Sequence, residues 1–325
     1  MDPTLFIKLV GGLVYLLAGG DLLVRGSVAL ARKFHVPPMI IALTIVAFGT
    51  SLPELVVVVQ ATMSGYPGLV FGNVVGSNIA NVLLVAGSAA AIYPLTYGEH
   101  SVRRDSVFMI AATLLLVGLC WNGTLDPVEG AILLTGLVVV TALTAREAAR
   151  SLRRSQLKAP LEWVLGLPTK IWVIGLFIAV GAVALPIGAK LVVDASVKIA
   201  ANLGVSDAVV GLTILAIGTS LPEVATTVMA AVQKRTEVAI GTIVGSNMFN
   251  ILAILGVAAA ISPSPISVPS GFFTLDFPVM LGSALLLSVF VWVKRPVGRK
   301  AGVFFLVGYG SYLLLLLLRT RGQVY

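Results

Sequence analysis

The chain has 325 residues, 58% of them hydrophobic and 11% charged, with a mean hydropathy of +1.03. A soluble domain carries roughly 25% charged residues, so this composition excludes an ordinary soluble enzyme, a disordered chain and a disulfide-stapled secreted domain. Cys120 is the sole cysteine, no Cys/His cluster is spaced for zinc, and the net charge of +8 comes with no zinc-finger spacing or basic–aromatic stretch that would point to nucleic acid.

What remains is an all-α polytopic membrane protein. A helix needs about 20 apolar residues to cross a bilayer, and runs of that size fall at 5–31, 38–63, 68–94, 105–121, 125–145, 171–201, 208–232, 237–261, 273–293 and 302–318, giving ten transmembrane helices. The strict alternation of a membrane β-barrel strand is missing from them. The first run follows Met-Asp-Pro-Thr without a basic leader and is too long for a cleaved signal peptide.

The connections set an expected orientation. One alternate set of loops holds sixteen of the 22 basic residues, among them Arg32, Lys33, Arg103, Arg104, Lys158, Lys234, Arg235 and Lys294; the other set holds Arg319 and Arg321. Basic loops stay in the cytoplasm, so both termini are expected outside, in a prokaryotic inner (plasma) membrane. The basic segment 146–168 divides the chain into a first five-helix half, 1–145, and a second, 169–325.

The halves repeat. Shifting the chain by 169 residues lays Thr44–Pro94 over Thr213–Pro263 without a gap, with 24 identities in 51 positions. Gly49-Thr50-Ser51-Leu52-Pro53-Glu54 matches Gly218-Thr219-Ser220-Leu221-Pro222-Glu223, and Gly76-Ser77-Asn78 with Asn81 matches Gly245-Ser246-Asn247 with Asn250. Five spans separate equivalent points, so the copies enter the membrane from opposite sides. Inverted repeats with a site at the midplane are a secondary-transporter design.

The repeated residues carry the chemistry. Glu54 and Glu223 fall inside spans, where a charge costs at least about 2.5–3.5 kcal/mol and marks a pathway or site. Pro53 and Pro222 lack the N–H that an unbroken helix requires, so the second and seventh helices are expected to break beside Thr50, Ser51, Thr219 and Ser220; the third and eighth are also expected to be broken. Ser77 and Asn81, and Ser246 and Asn250, each share a helical face; Asn78 and Asn247 point elsewhere, toward the backbone of the broken helices. Carboxylate, hydroxyl, amide and carbonyl oxygens suit a hard cation; two carboxylates balance one divalent ion, and six to eight flexible oxygens favour Ca2+ over the tightly hydrated Mg2+. Charged residues at four-residue spacing, Asp21–Arg25 and Lys190–Asp194–Lys198, are expected to neutralise one another within their helices. No Walker motif, GxSxG or HExxH is present, which leaves an antiporter ahead of a passive channel or a membrane enzyme.

GTSLPE followed by GNVVGSNIAN, and GTSLPE followed by GTIVGSNMFN, resemble the two α repeats of the calcium/cation antiporter superfamily, in particular its prokaryotic sodium/calcium exchanger branch. The resemblance implies an exchange of Na+ for Ca2+, both carried as transported ions with no resident cofactor, by a protein working as a monomer in the lipid bilayer through alternating access. It also implies a ligand set: Glu54 and Glu223, the hydroxyls or carbonyls of Thr50, Ser51, Thr219 and Ser220, the main-chain carbonyls of Ala47 and Ala216, and Ser77, Asn81, Ser246 and Asn250. Some relatives carry aspartate at one of the positions of Asn81 and Asn250. Here both are neutral, so H+ coupling of a Ca2+ or other divalent-cation antiporter stays open as the alternative.

Overall fold

The computed structural model describes residues 3–36, 38–97, 101–155, 167–202 and 216–322. They form a bundle of helices: α1 (Pro3–Lys33), α2 (Pro38–Thr50), α3 (Leu52–Met63), α4 (Pro67–Ile92), α5 (Val102–Asn122), α6 (Pro127–Ser155), α7 (Ile171–Asn202), α8 (Ala216–Thr219), α9 (Leu221–Val232), α10 (Thr236–Ile261), α11 (Phe272–Trp292) and α12 (Arg299–Gly322). Among the described residues, eight helices are long and apolar enough to cross a membrane singly, and α2 with α3 makes a ninth, bent span. The expected span at 208–232 begins outside the described residues; its remainder includes α9, whose 12 residues rise about 18 Å and cannot cross alone.

Two expectations change in detail. The connection expected at 146–168 starts as helix, because α6 continues to Ser155; Ala, Arg and Glu after the apolar stretch are strong helix formers and need no bilayer around them. Lys158 lies outside the described residues. The third and eighth spans are continuous rather than broken: α4 and α10 each hold a π-helical stretch, Asn81–Ala86 and Asn250–Leu255, at equivalent places. A π turn widens the helix by one residue and re-aims its side chains without freeing the run of carbonyls that a true break would free.

The second span breaks as expected. α2 and α3 meet at 46°, with Ser51 at φ −88°, ψ 6°. Its N–H still bonds the Ala47 carbonyl at 3.0 Å while its own carbonyl accepts from Leu55 at 3.1 Å, so one helix ends and the next begins at the same residue. Pro53 supplies no N–H to the Gly49 carbonyl. Ser220 repeats the geometry at φ −88°, ψ 3° before Leu-Pro-Glu.

Helix α10 is the centre of the bundle, buried along nearly its whole length. It reaches α2 at backbone distance because it offers no side chain there. A Cβ on Gly245 would lie 2.5 Å from the Leu43 carbonyl oxygen, and one on Gly241 would lie 2.8 Å from the Met39 oxygen. α1 and α7 use the same device on the periphery, with Gly12, Gly19 and Gly26 facing Gly188, Gly181 and Ile178 respectively. Small residues matter here because lipid supplies no hydrophobic drive between helices, and close packing must replace it.

The peripheral charges pair only in part. Arg25 Nε bonds Asp21 Oδ2 at 2.8 Å within α1, as expected, and Asp21 also accepts from Gln233 Nε2 at 2.9 Å. Among the described residues no ion pair joins Lys190, Asp194 and Lys198; Lys190 and Asp194 instead line the cavity described below. Asp105, at the basic end of α5, is buried and pairs with Arg104, which also meets Glu147 of α6.

Gly245→Ala is expected to lower the stability of the purified protein by about 1–3 kcal/mol, because the new methyl meets main chain that cannot rotate away. Gly118→Ala, with no atom within 4 Å of the added carbon, is expected to be neutral. Thermal unfolding in detergent measures both; equal melting temperatures would remove the close α2–α10 approach as a packing constraint.

Candidate functional site

The two breaks and the two π stretches meet at the centre of the bundle. Glu54 opens α3 and Glu223 opens α9, each in the first turn, and both are almost fully buried, with 1% and 2% of their surface exposed. The first turn of a helix is where a carboxylate gains from the partial positive charge of free N–H groups. Ser51 Oγ, from the first break, donates to Glu223 Oε1, from the second repeat, at 3.2 Å. Thr50 Oγ1 donates to the Ala47 carbonyl at 3.3 Å, which already takes the Ser51 N–H. Ala216 and Thr219 begin and end α8, the counterpart of the last turn of α2.

Asn78 and Asn247 do something the sequence did not suggest. They do not bond the broken helices but cross between α4 and α10. Asn78 Nδ2 donates to the Asn247 carbonyl at 3.3 Å, and Asn247 Nδ2 donates to the Asn78 carbonyl at 3.4 Å. Their side-chain oxygens then accept from the other repeat: Asn81 Nδ2 donates to Asn247 Oδ1 at 3.0 Å and Asn250 Nδ2 donates to Asn78 Oδ1 at 3.1 Å. This reciprocal ring uses the side-chain nitrogens of Asn81 and Asn250 as donors and leaves their oxygens without a partner.

Those oxygens belong to a larger set. Among the described residues, Glu54 Oε2, Glu223 Oε2, Asn81 Oδ1, Asn250 Oδ1, Ser220 Oγ and Ser246 Oγ are all buried with no hydrogen-bond partner. A buried polar atom left unpaired costs about 1–3 kcal/mol, more when it is charged. Six of them, carried by six of the residues singled out from the repeats, are an arrangement that a cation would complete. Ser77 is buried beside them on α4.

A cavity of about 860 Å³ approaches this cluster from the end of the bundle where α4 and α11 begin, and reaches Pro53, Ser77, Thr219 and Pro222. Its wall includes groups the sequence reading passed over. Asn73 contributes an oxygen without a partner, and Asp276 on α11 is buried and accepts from Tyr312 at 2.6 Å. Asp276 falls outside the repeated motifs and could have been found only as a lone acid inside a span. Among the described residues the opposite end is closed. There Lys234 lies over the ring of Tyr93, 5.8 Å from its centre, and the hydroxyls of Thr96 and Thr236 meet at 2.8 Å. Among the described residues no three of His, Cys, Asp and Glu lie together, so any ion held here is met mostly by neutral oxygens.

The comparisons with known proteins place the chain in a family of membrane transporters. The profile of the family described as "Sodium/calcium exchanger protein" matches residues 4–145 and 173–318, and the chain belongs to that family of membrane antiporters. It is 31% identical over 348 residues to the sodium/calcium exchanger MaX1 of Methanosarcina acetivorans, a match covering 96% of this chain and 98% of the relative. It is 34% identical over 317 residues to the inner membrane protein YrbG of Escherichia coli, with 95% of each covered. The fold superposes on a solved structure of the sodium-calcium exchanger NCX_Mj soaked with Na+ and Sr2+, with a TM-score of 0.80, 28% identity, and 95% of this chain and 97% of that one covered.

Asn247→Ala removes the acceptor of Asn81 and a donor to α4, and Asn78→Ala does the same for Asn250 and α10. Each is expected to cost about 1–3 kcal/mol, the usual penalty for a stranded buried group, and to lower the melting temperature by a similar amount in both. Unchanged melting of either variant would mean the crossing contributes nothing to holding the repeats together.

Proposed function

We propose that the protein exchanges Na+ for Ca2+ by alternating access at this central site. The reading has ten spans in two inverted repeats, 1–145 and 169–325, joined by a basic cytoplasmic segment at 146–168. The observation that carries it is the set of six unpartnered buried oxygens, two of them on the carboxylates of Glu54 and Glu223. Glu54 and Glu223 supply two negative charges, enough to balance one Ca2+. The oxygens of Asn81, Asn250, Ser220 and Ser246, with Thr50, Ser51, Thr219, Ser77 and the main chain at Ala47 and Ala216, complete six to eight flexible ligands, the number Ca2+ takes. Ala47 can offer its carbonyl if Thr50 swings its hydroxyl away, since that oxygen already accepts two donors.

Exchange follows from charge. Without a divalent ion the two buried carboxylates need monovalent cations or protons before the site can close and turn, because an uncompensated pair of charges is too costly to enclose. A loaded site of either kind can reorient and an empty one cannot, which couples the two fluxes. The names of MaX1 and NCX_Mj support sodium as the counter-ion. The neutral pair Asn81 and Asn250 supports a second reading, in which protons on Glu54 and Glu223 take sodium's place. The cavity end is then the extracellular face and the Lys234 end the cytoplasmic face. Both termini lie outside, the protein sits in a prokaryotic inner membrane, and one chain suffices because the site is built within it.

Calcium-45 uptake into proteoliposomes loaded with Na+ and diluted into sodium-free buffer at equal pH is the direct test. The wild type is expected to accumulate calcium, and choline-loaded vesicles are not. Glu54→Gln and Glu223→Gln are each expected to abolish uptake while the protein still reaches the membrane. Uptake that ignores sodium and follows an imposed pH gradient would select the proton-coupled reading, and wild-type flux in either glutamine variant would overturn the site.

A further inference from the structure

Helical threonines and serines in this protein return their hydroxyls to the carbonyl four residues back. Ser27, Thr44, Thr62, Thr113, Thr135, Thr242 and Ser288 all do so, at 2.7–2.9 Å. This is the ordinary way to satisfy a hydroxyl inside a span, where no water is at hand. Thr144 on α6 departs from it singly, and Thr226 and Thr227 depart from it side by side, one turn after Glu223. Thr226 and Thr227 are both 0% exposed, and neither Oγ1 has a hydrogen-bond partner among the described residues.

Their position gives the exception a meaning. They follow Glu223 by three and four residues on α9, one turn away on the side of Glu223 that leads to Lys234, and Thr227 shares the Glu223 face. That side is the closed one. Below them Ala230 and Ala231 are fully buried, and α9 packs there against the Ala- and Gly-rich end of α4, where Ala86, Ala89 and Ala90 are also fully buried. A seal made only for packing has no use for two unpaired hydroxyls. Val57 and Val58 stand at the equivalent positions of the first repeat, Val57 exposed on the cavity wall and Val58 fully buried. Valine has the shape of threonine without the oxygen, so the second repeat carries two oxygens that its packing does not require.

We propose that Thr226 and Thr227 form a second cation station, between the central carboxylates and the Lys234 face, that holds a hard cation in transit when this side opens. The proposal rests on the central site as read above and adds a directional element to it. Two neutral hydroxyls hold a cation weakly, which suits a release step: they replace part of the hydration shell as the ion leaves Glu223, without creating a trap. The first repeat, with valines in place of both, lacks the counterpart on the cavity side, so the two half-pathways are chemically unequal although the central ligands are nearly symmetric.

The test compares the two faces of the membrane. Calcium-45 transport against sodium is measured in everted and in right-side-out vesicles bearing wild type, Thr226→Val/Thr227→Val, Thr226→Ser/Thr227→Ser or Glu223→Gln. The valine pair is expected to raise the KM for calcium about tenfold, the worth of one lost ligand contact, at the Lys234 face alone. The serine pair is expected to restore it, because serine keeps the oxygen. Wild-type KM at both faces in the valine pair would overturn the station. An equal rise at both faces would also overturn it, by making these threonines part of the central site. Should the double valine variant fail to reach the membrane, Thr226→Ala and Thr227→Ala are measured singly by the same criteria. Absence of exchange in the wild type, or full exchange in Glu223→Gln, would instead remove the central reading, and the two failures are thereby separate.

Discussion

Two carboxylates enclosed at the centre of an apolar bundle are the constraint on which the rest of this structure depends. Glu54 and Glu223 sit at the start of α3 and α9 because Pro53 and Pro222 stop the preceding helix one turn earlier and leave free N–H groups facing the acids. The break therefore both positions a negative charge and helps to tolerate it. No described lysine or arginine forms an ion pair with either acid; Arg25, one of the basic residues of α1, pairs with Asp21. The remaining compensation has to come from something that arrives and departs, which is what a transporter of cations requires.

The crossing of α4 and α10 holds this arrangement together. Asn78 and Asn247 each use the amide to grip the opposite main chain and the side-chain oxygen to receive the neighbouring asparagine of the other repeat. Because the side-chain nitrogens of Asn81 and Asn250 are used as donors, their oxygens are presented inward in a fixed orientation. The π stretches that begin at Asn81 and Asn250 serve the same end. An extra residue per turn rotates the side chains that follow, so α4 and α10 can cross tightly at Asn78 and Asn247 while the next asparagines still face the centre. Gly241 and Gly245 bring α2 against α10 at main-chain distance, and the Thr50–Ser51 turn is thereby set beside Glu223.

The two halves are related but not equivalent in this structure. Ser51 reaches Glu223, whereas Ser220 has no partner among the described residues. Among the described residues the cavity enters from the end where α4 and α11 begin, and the other end is packed with alanines, with the Lys234–Tyr93 and Thr96–Thr236 contacts at its rim. Each half of the sequence nevertheless carries the same motif parts, Gly-Thr-Ser-Leu-Pro-Glu and Gly-Ser-Asn with a following asparagine. The differences between the copies, Thr226 and Thr227 against Val57 and Val58, are where the two directions of passage cease to be mirror images.

Much of this was legible without coordinates, and for a definite reason. Apolar runs must match the bilayer thickness, so span limits followed from composition, and helices such as α7, α10 and α11 lie within a residue or two of the expected positions. The repeat, the break at Ser51 and the importance of Glu54 and Glu223 also followed from local chemistry: a proline removes a hydrogen bond wherever it stands, and an acid inside a span is costly in any fold. Tertiary structure decided what depends on two distant segments meeting. The sequence could place Asn78 and Asn247 on their helices but not reveal that they bond each other across 169 residues, since hydrogen-bond partners are chosen by helix crossing rather than by spacing. It suggested breaks in α4 and α10 where π turns suffice. It suggested an ion chain at Lys190–Asp194–Lys198, which the helix does not form because its charges face a cavity instead. It could not distinguish a threonine bonded to its own helix from one left free, because that difference lies in the rotamer and the packing around it.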